Sequence, residues 1–141
     1  MMRGAHLLYH WSSTQTTVAL SSGEAELTGI CRGASKALGM KSLCEDLGLN
    51  FSLRIHSDAT AAIGICRRRG LGRIRHLSTA DLWVQDKVRT GEFVLQKIAG
   101  AQNPADMLTK HIDATTLATH MKAMSLMYED GRASTAPSLT H

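Results

Sequence analysis

The sequence predicts an α/β fold in which a parallel pair of strands is covered by helices. Residues 51–57 alternate apolar Phe51, Leu53 and Ile55 with polar side chains, which is the period of a strand with one buried face. Residues 92–98 have the composition of a second strand, and the segments around both strands repeat apolar residues at helical spacing. A helical crossover between two strands favours parallel pairing.

The first predicted elements are a short strand and a long helix. Residues 5–12 (AHLLYHWS) form a bulky apolar and aromatic run with no obvious partner strand before it. Ser21 followed by Glu24 is a capping box. Apolar residues then recur at helical spacing as far as Gly48, which predicts a helix over 22–47; they are Leu27, Ile30, Cys31, Ala34 and Leu38.

Four shorter helices are predicted after the first internal strand. One covers about 59–67, and a second is marked by Leu77, Ala80, Val84 and Val88 and ends at Gly91. Asn103 followed by Pro104 is typical of a helix start and predicts a helix through Lys110. Asp113 is a candidate cap for a last helix over 113–130, and the Ser-, Thr- and Ala-rich residues 131–141 are predicted to be disordered.

Charge, cysteine content and the N-terminal segment restrict which partners the protein could bind and which cell compartment it could occupy. A formal charge of +4 and a pI of about 9.2 weakly favour an anionic partner such as nucleic acid. The three cysteines have no CxxC spacing, which argues against a disulfide framework and a zinc knuckle. The start of the chain has the character of neither a signal peptide nor a membrane span. We therefore expect an intracellular protein, cytoplasmic or nuclear, that is not secreted.

Three carboxylates occupy positions where an α/β fold gathers ligands. Glu26 lies in the first turns of a helix, Asp58 follows the carboxyl end of a strand, and Asp106 begins another helix. Together they are candidates for a metal cluster. Each also has a simpler explanation: Asp58 as a helix cap, Asp106 as a partner of the helix dipole, and Glu26 as a surface residue. The residues alone leave both interpretations open.

An arginine-rich segment follows the second helix. It is a candidate for binding nucleic-acid phosphates, because each Arg contact adds affinity that depends on salt and not on sequence. The alternative is a solvated loop with no ligand. The residues concerned are Arg67, Arg68, Arg69, Arg73 and Arg75.

Four blocks of the sequence resemble the ribonuclease H domain of copia-type retrotransposon Pol polyproteins, in the family's order. TTVALSSGEAEL at 16–27 is similar to the signature TVALSSxEAEY, and HSDATAAIGI at 56–65 to the DNQSAI block. RHLSTADLWVQDKVRTGEF at 75–93 is similar to the KHIDxRYHFVREKVxxGEI block, and QNPADMLTK at 102–110 to the QLADxLTK block. HWSS at 10–13 resembles the strand that precedes the signature, so the resemblance extends over residues 5 to about 112.

The resemblance implies a Mg²⁺-dependent nuclease that cuts the RNA strand of RNA/DNA hybrids with two metal ions. By block, Glu26, Asp58 and Asp106 match three of the four usual carboxylates. The fourth, an aspartate of the first strand, has no counterpart, since no Asp or Glu occurs before Glu24. Ser78 also stands where the family commonly has Asp.

The resemblance further implies that residues 1–112 are a partial ribonuclease H-like domain whose first two strands, together with a reverse transcriptase, precede this sequence in a polyprotein. Cleavage by the chain alone is then expected to be impaired. A non-catalytic remnant, or a module that only binds nucleic acid, is the alternative function.

Overall fold

The long amphipathic helix is the element around which the other segments pack. The computed structural model describes residues 1–15, 18–70, 72 and 81–127. Their elements, in chain order, are β1 (Met2–Arg3), β2 (His6–Leu7), α1 (Ser22–Asp46), β3 (Leu53–Ser57), α2 (Thr60–Arg67), α3 (Trp83–Arg89), β4 (Phe93–Lys97), two 3₁₀ helices (Gly100–Gln102 and Pro104–Leu108) and α4 (Ala114–Ala123).

Helix α1 begins as its capping sequence predicts. The Ser21 hydroxyl accepts a hydrogen bond from the Glu24 backbone N–H at 3.3 Å. The Glu24 carboxylate accepts one from the Leu20 N–H at 2.8 Å, one residue earlier than in the usual capping box. The Glu24 N–H is one of the backbone donors that the first helical turn leaves without a partner, whereas the Leu20 N–H lies just before the helix. Ser21 is thus the N-cap of α1 and Glu24 ties the preceding residue to the helix, which leaves Glu26 out of these capping contacts.

Strands β3 and β4 pair in parallel, as predicted. Leu53 is the register partner of Phe93, and Ser57 is the partner of Lys97. A further hydrogen bond of 3.0 Å from the Ile98 N–H to the Ser57 carbonyl extends the pairing by one residue. The connection between the strands includes α2 and α3, which supply the crossover that parallel strands need. The carboxyl ends of β3 and β4 therefore lie at the same edge of this two-stranded sheet.

The core lies between α1, α2, α3 and one face of the sheet. Leu27, Val84 and Phe93 are almost completely buried and contribute from α1, α3 and β4 respectively. The apolar stripe predicted for α1 is confirmed, because Ile30, Cys31 and Ala34 are also buried. Apart from Phe93, the buried side chains of this core cluster are aliphatic or small, in keeping with an aromatic content of 4%.

Two of the three cysteines belong to this core. Burial raises the pKa of the Cys31 thiol to about 12, with a smaller contribution from Asp81 and from Cys66. Burial also raises the pKa of the Cys66 thiol, to about 11. Desolvation disfavours the thiolate, which is the reactive form of cysteine. Both residues therefore serve packing and are poor nucleophiles.

The N-terminal segment differs from the predicted strand over 5–12. Only His6–Leu7 is extended, and it pairs antiparallel with Met2–Arg3 in a small hairpin outside the main sheet. Residues 9–15, which we call the N-terminal strap, run along α1 in the opposite direction to the helix. The strap contacts, with their distances, are Gln15 Nε2 to Ala25 O at 2.7 Å, Arg32 Nη1 to Thr14 O at 3.3 Å, and Lys36 Nζ over the Tyr9 and Trp11 rings at 5.4 and 5.1 Å.

The predicted helix over 103–110 is shorter and of a different type. Asn103 caps it as expected, by accepting a hydrogen bond from the Ala105 N–H at 3.3 Å, and Pro104 is its first residue. The segment is a 3₁₀ helix that ends at Leu108, whereas an α-helix through Lys110 was predicted. A run of four residues after a proline start fits the short, tight 3₁₀ form.

The last described helix is capped by Asp113 as predicted. Its carboxylate accepts hydrogen bonds from the Thr116 hydroxyl at 2.6 Å and from the Thr116 N–H at 2.9 Å, which in that order hold the pKa of Asp113 below its ordinary value. Helix α4 ends at Ala123, earlier than the expected end at 130. The expectations for Leu77, Ala80, Arg73, Arg75 and the tail over 131–141 lie outside the described residues. Within the part of the chain that is described, no helix has the length and apolar character needed to cross a membrane.

Candidate functional site

Asp58 lies at the carboxyl edge of the sheet, immediately after β3. The simpler explanation, that it caps α2, is not supported: the N-cap of α2 is Ala59, and no side chain caps this helix. Ser57 instead organises the turn, with its hydroxyl accepting a hydrogen bond from the Ala59 N–H at 3.2 Å. The Asp58 carboxylate faces Gly100 in the loop after β4, where a Cβ would be 3.7 Å from Asp58 Oδ2. Asp58 is half-buried and is not used by the local backbone.

Asp106 is brought to the same edge by the loop that follows β4. Its carboxylate is held by two side chains of its own segment. Asn103 Nδ2 donates to Oδ1 at 3.4 Å, and Lys110 Nζ lies 2.9 Å from Oδ2. Asp106 also lies in the first turn of the 3₁₀ helix, which is the position that the helix-dipole explanation requires.

Glu26 approaches this edge from the second turn of α1. Its relation to the other two carboxylates is visible through Lys110. The pKa of the Lys110 ammonium is raised chiefly by its hydrogen bond and charge interaction with Asp106, and further by the charges of Asp58 and Glu26. One ammonium thus lies in the electrostatic field of all three predicted carboxylates, although they come from three separate segments of the chain. We call Glu26, Asp58 and Asp106 the acidic edge.

The spacing within the acidic edge is wider than that of a closed metal site. Among the described residues, no three His, Cys, Asp or Glu side chains are grouped closely enough to hold one ion. The donor chemistry nevertheless fits Mg²⁺, a hard cation that prefers oxygen ligands and usually keeps several waters. Bound there, Mg²⁺ would lower the pKa of a coordinated water and offset the charge of the carboxylates.

Three of the predicted phosphate-binding arginines, Arg67, Arg68 and Arg69, fall within the described residues and lie at the other end of α2. This helix begins beside Asp58 and ends at Arg67, a length of about 12 Å for eight residues. A groove of about 710 Å³ opens between its end and α3. We call it the arginine groove; its lining residues are Arg67, Arg68, Arg69, Gly70, Leu82, Gln85, Asp86, Val88 and Arg89.

The arginines of this groove differ in how they are used. Arg67 donates a hydrogen bond of 2.8 Å to the Leu95 carbonyl of β4. The Arg68 guanidinium packs closely on Gly72, where a Cβ would be 2.8 Å from Arg68 Cζ. Arg89 pairs with Asp86 on α3. Arg69 is exposed, and among the predicted arginines within the described residues it is the one best placed to meet a ligand.

Gln85 fixes the shape of the groove, and no pattern in the sequence indicated its role. Its amide oxygen accepts from the Gly70 N–H at 2.9 Å, while its amide nitrogen donates to the Ile65 carbonyl at 2.9 Å and to the Gly70 carbonyl at 3.0 Å. These bonds tie the end of α2 to α3. Lys110 was also overlooked, although its four-residue spacing from Asp106 is a recognised ion-pair signal that could have identified it.

The described fold places the chain among mixed α/β proteins, with a parallel strand pair and an acidic edge at its carboxyl end. Over 101 residues, or 70% of the chain, the sequence is 30% identical to the Retrovirus-related Pol polyprotein from transposon TNT 1-94 of Nicotiana tabacum. The chain spans 8% of the length of that polyprotein. This similarity supports a region derived from a retrotransposon Pol polyprotein. No family model matches the sequence, and no solved structure matches it.

Proposed function

We propose that the chain is part of a ribonuclease H domain of a retrotransposon Pol polyprotein, which cuts the RNA strand of RNA/DNA hybrids by two-metal catalysis. The observation that carries the proposal is Asp58, which caps no helix at the carboxyl edge of the parallel strands and faces Gly100 in the loop that leads to Asp106. The charges of Asp58, Asp106 and Glu26, from three segments far apart in sequence, all raise the pKa of Lys110. Capping and dipole effects act on each carboxylate separately and give no reason for this grouping. The similarity to a Pol polyprotein supports the same proposal.

The roles of the residues follow from their places at this edge. Asp58, which no local cap uses, is the carboxylate that we propose as the main cation ligand, with Asp106 and Glu26 as its partners. When bound, two Mg²⁺ ions would activate the attacking water and stabilise the leaving 3′ oxygen. The ribonuclease H resemblance adds an aspartate from a preceding strand, and residues 1–23 contain no acidic residue that could take its place.

Residues 1–141 by themselves should therefore show little cleavage of an RNA/DNA hybrid. A misplacement of about 1 Å in a reacting group can cost about a hundredfold in rate, and a missing ligand should cost more. Joining the chain in frame to a two-stranded segment that carries an aspartate should produce Mg²⁺-dependent cutting of the RNA strand. The measurement is gel analysis of a hybrid labelled in turn on each strand.

A matched pair of variants makes this assay specific. Asp58→Asn in the extended protein should abolish cutting, because an amide cannot offset the charge of the ions. Asp46→Asn should leave it unchanged, since Asp46 is an exposed carboxylate at the far end of α1. Robust cleavage by residues 1–141 alone, or full activity of Asp58→Asn, would contradict the assignment of the acidic edge.

The arginine groove favours a second candidate function, a module that binds nucleic acid without cutting it. The groove is formed by α2 and α3, and its lining includes none of the three carboxylates of the acidic edge. Binding to a hybrid in EDTA should weaken as salt rises, and Arg69→Gln should reduce the slope of log affinity against log salt by about 0.7 to 0.9. Salt-dependent binding with no cleavage by the extended protein would favour this second function over the first.

A further inference from the structure

The N-terminal strap carries two aromatic rings on the surface of α1. Tyr9 and Trp11 are stacked, with their ring centroids 5.5 Å apart and their planes inclined by 26°. Lys36 Nζ lies 5.4 Å from the Tyr9 centroid and 5.1 Å from the Trp11 centroid. Tyr9 is 41% exposed and Trp11 is half-buried, so both rings keep surface that solvent can reach. In a chain with an aromatic content of 4%, two of the few aromatic side chains are thus placed at the surface.

A second pair of a cation and an aromatic ring lies beside the N-terminal hairpin. Arg3 Cζ is 4.7 Å from the centroid of the half-buried Phe51 ring. Arg3 belongs to β1, and the Tyr9 N–H donates to the Met1 carbonyl at 3.3 Å, so the hairpin links the two pairs. We call Arg3, Tyr9, Trp11, Lys36 and Phe51 the aromatic platform.

The segments that form most of this platform carry positive charge and no carboxylate side chains. Residues 1–23 contain no Asp or Glu, and neither do residues 27–44, the part of α1 that includes Lys36. Two further groups that become cationic in mild acid, His6 and His10, are exposed on the hairpin and the strap. An anionic ligand would therefore meet cations and aromatic rings together, with no repulsion from carboxylates of these segments.

We propose that the aromatic platform binds unpaired nucleotides of a single-stranded nucleic acid, with bases against Tyr9 and Trp11 and phosphates beside Arg3 and Lys36. Every base has a face that can stack on an aromatic ring, so this kind of binding does not depend on sequence. A duplex keeps its base faces covered by neighbouring pairs, which favours a single strand as the ligand. The site is independent of the proposed cleavage, because it includes no residue of the acidic edge or of the arginine groove.

Contacts along the strap order the rings before a ligand arrives. Gln15 Nε2 donates to the Ala25 carbonyl at 2.7 Å, and Arg32 Nη1 donates to the Thr14 carbonyl at 3.3 Å. A surface that is ordered in advance loses less conformational freedom on binding. An anionic membrane surface also attracts Trp, Tyr and cations, but stable binding there needs a broad apolar face. Here Lys36 lies over both rings, which favours a ligand that offers phosphates next to aromatic faces.

The test compares two strands of equal charge that bind to the full 141-residue chain in EDTA. One is a labelled oligothymidylate of about 12 nucleotides, and the other is an abasic strand with the same number of phosphates. Fluorescence anisotropy should give an affinity about five- to a hundredfold higher for oligothymidylate, which is the range expected for one stacked base. Tryptophan fluorescence should fall when oligothymidylate binds, because a base stacked on Trp11 quenches its emission.

Variants assign the effect to the platform. Trp11→Leu keeps an apolar side chain without the ring, so it should lower the affinity for oligothymidylate about five- to a hundredfold and remove the quenching. Trp11→Phe should retain most of the preference. Lys36→Gln should reduce the slope of log affinity against log salt by about 0.7. The matched control is Lys122→Gln, an exposed residue of α4, which packs on the second 3₁₀ helix; it should leave the slope unchanged.

A preference for bases that disappears in Trp11→Leu supports the proposal. Equal affinity for the two strands would overturn it, since the protein would then recognise phosphates alone. A preference that survives Trp11→Leu would also overturn it, because the bases would bind elsewhere. The same holds if the duplex of oligothymidylate with oligoadenylate binds more tightly than the single strand. Sedimentation with phosphatidylserine and phosphatidylcholine vesicles, combined with no preference for bases, would reassign the platform to a membrane surface.

Discussion

The cysteines show how the position of a single residue decides its chemistry. Cys31 and Cys66 lie in the core, while Cys44 is half-buried near the end of α1. With a pKa of about 12, roughly one Cys31 side chain in ten thousand is a thiolate at pH 8. Only the thiolate reacts with alkylating reagents. The three thiols should therefore differ in reactivity.

We expect iodoacetamide at pH 8 to label Cys44 first. Labelling of Cys31 and Cys66 should require opening of the core, and should therefore accelerate with urea in step with unfolding. Mass spectrometry of the labelled peptides over time measures the three rates. In fully denatured protein all three cysteines should react equally, and early labelling of Cys66 in native protein would contradict the described core.

Single residues also show how much of the acidic edge could be predicted from the sequence. Patterns of capping identified Glu24 and Asn103 correctly, because a cap depends on neighbours within three residues. Whether Asp58 capped α2 could not be decided, since both interpretations place an acidic residue before a helix. Contacts such as that of Asp58 with Gly100 join residues more than forty positions apart and depend on the tertiary fold.

At the scale of elements, an ion-pair network joins α1 to the start of β4 and to α3. Lys41 of α1 lies 3.4 Å from Glu92, and Lys87 of α3 lies 3.5 Å from it. The hydrogen bond from Lys41, followed by the charge of Lys87, holds the pKa of Glu92 below its ordinary value. Folding therefore favours the ionised carboxylate.

Glu92→Gln should lower the urea midpoint of unfolding at pH 7. The stabilisation from a lowered pKa is present above the unfolded value of 4.5 and is lost as the pH falls through the folded value. The difference between the two proteins should accordingly shrink below about pH 4.5. It should also shrink in 1 M salt, which screens exposed charges. A gap that persists at pH 3 would indicate that packing, and not charge, was lost.

Element patterns were most informative where one face is buried. The strands at 51–57 and 92–98 were predicted with ends within two residues of those observed, because alternation reports a half-buried strand directly. The run at 5–12 has strand-like composition but packs against α1 through Lys36, which lies over the Tyr9 and Trp11 rings. Apolar and aromatic content alone does not distinguish a strand from an extended strap that lies on a helix.

For the whole molecule, stability depends on one small core. Phe93 and Val94 are neighbours on β4 with opposite environments: Phe93 is 2% exposed and Val94 is 50% exposed. Phe93→Ala should lower the free energy of unfolding by about 3–5 kcal/mol, and Val94→Ala by about 0.5 kcal/mol or less. Urea denaturation followed by circular dichroism measures both. Because a typical domain is stable by only about 5–15 kcal/mol, Phe93→Ala should be close to unfolding at 37 °C.

The hydrogen bond from Arg67 to the Leu95 carbonyl has a consequence for how the sheet can grow. The Ile98 N–H faces β3, and successive residues of a strand alternate in direction, so the Leu95 carbonyl three residues earlier faces away from β3. Arg67 thus occupies an acceptor on the border of β4 that, among the described residues, no strand pairs with. Free borders are where proteins add foreign strands and aggregate, and charged side chains are a common protection against it. Arg67, which the sequence predicted to bind phosphates, should therefore also hinder the addition of a foreign strand along this border of β4.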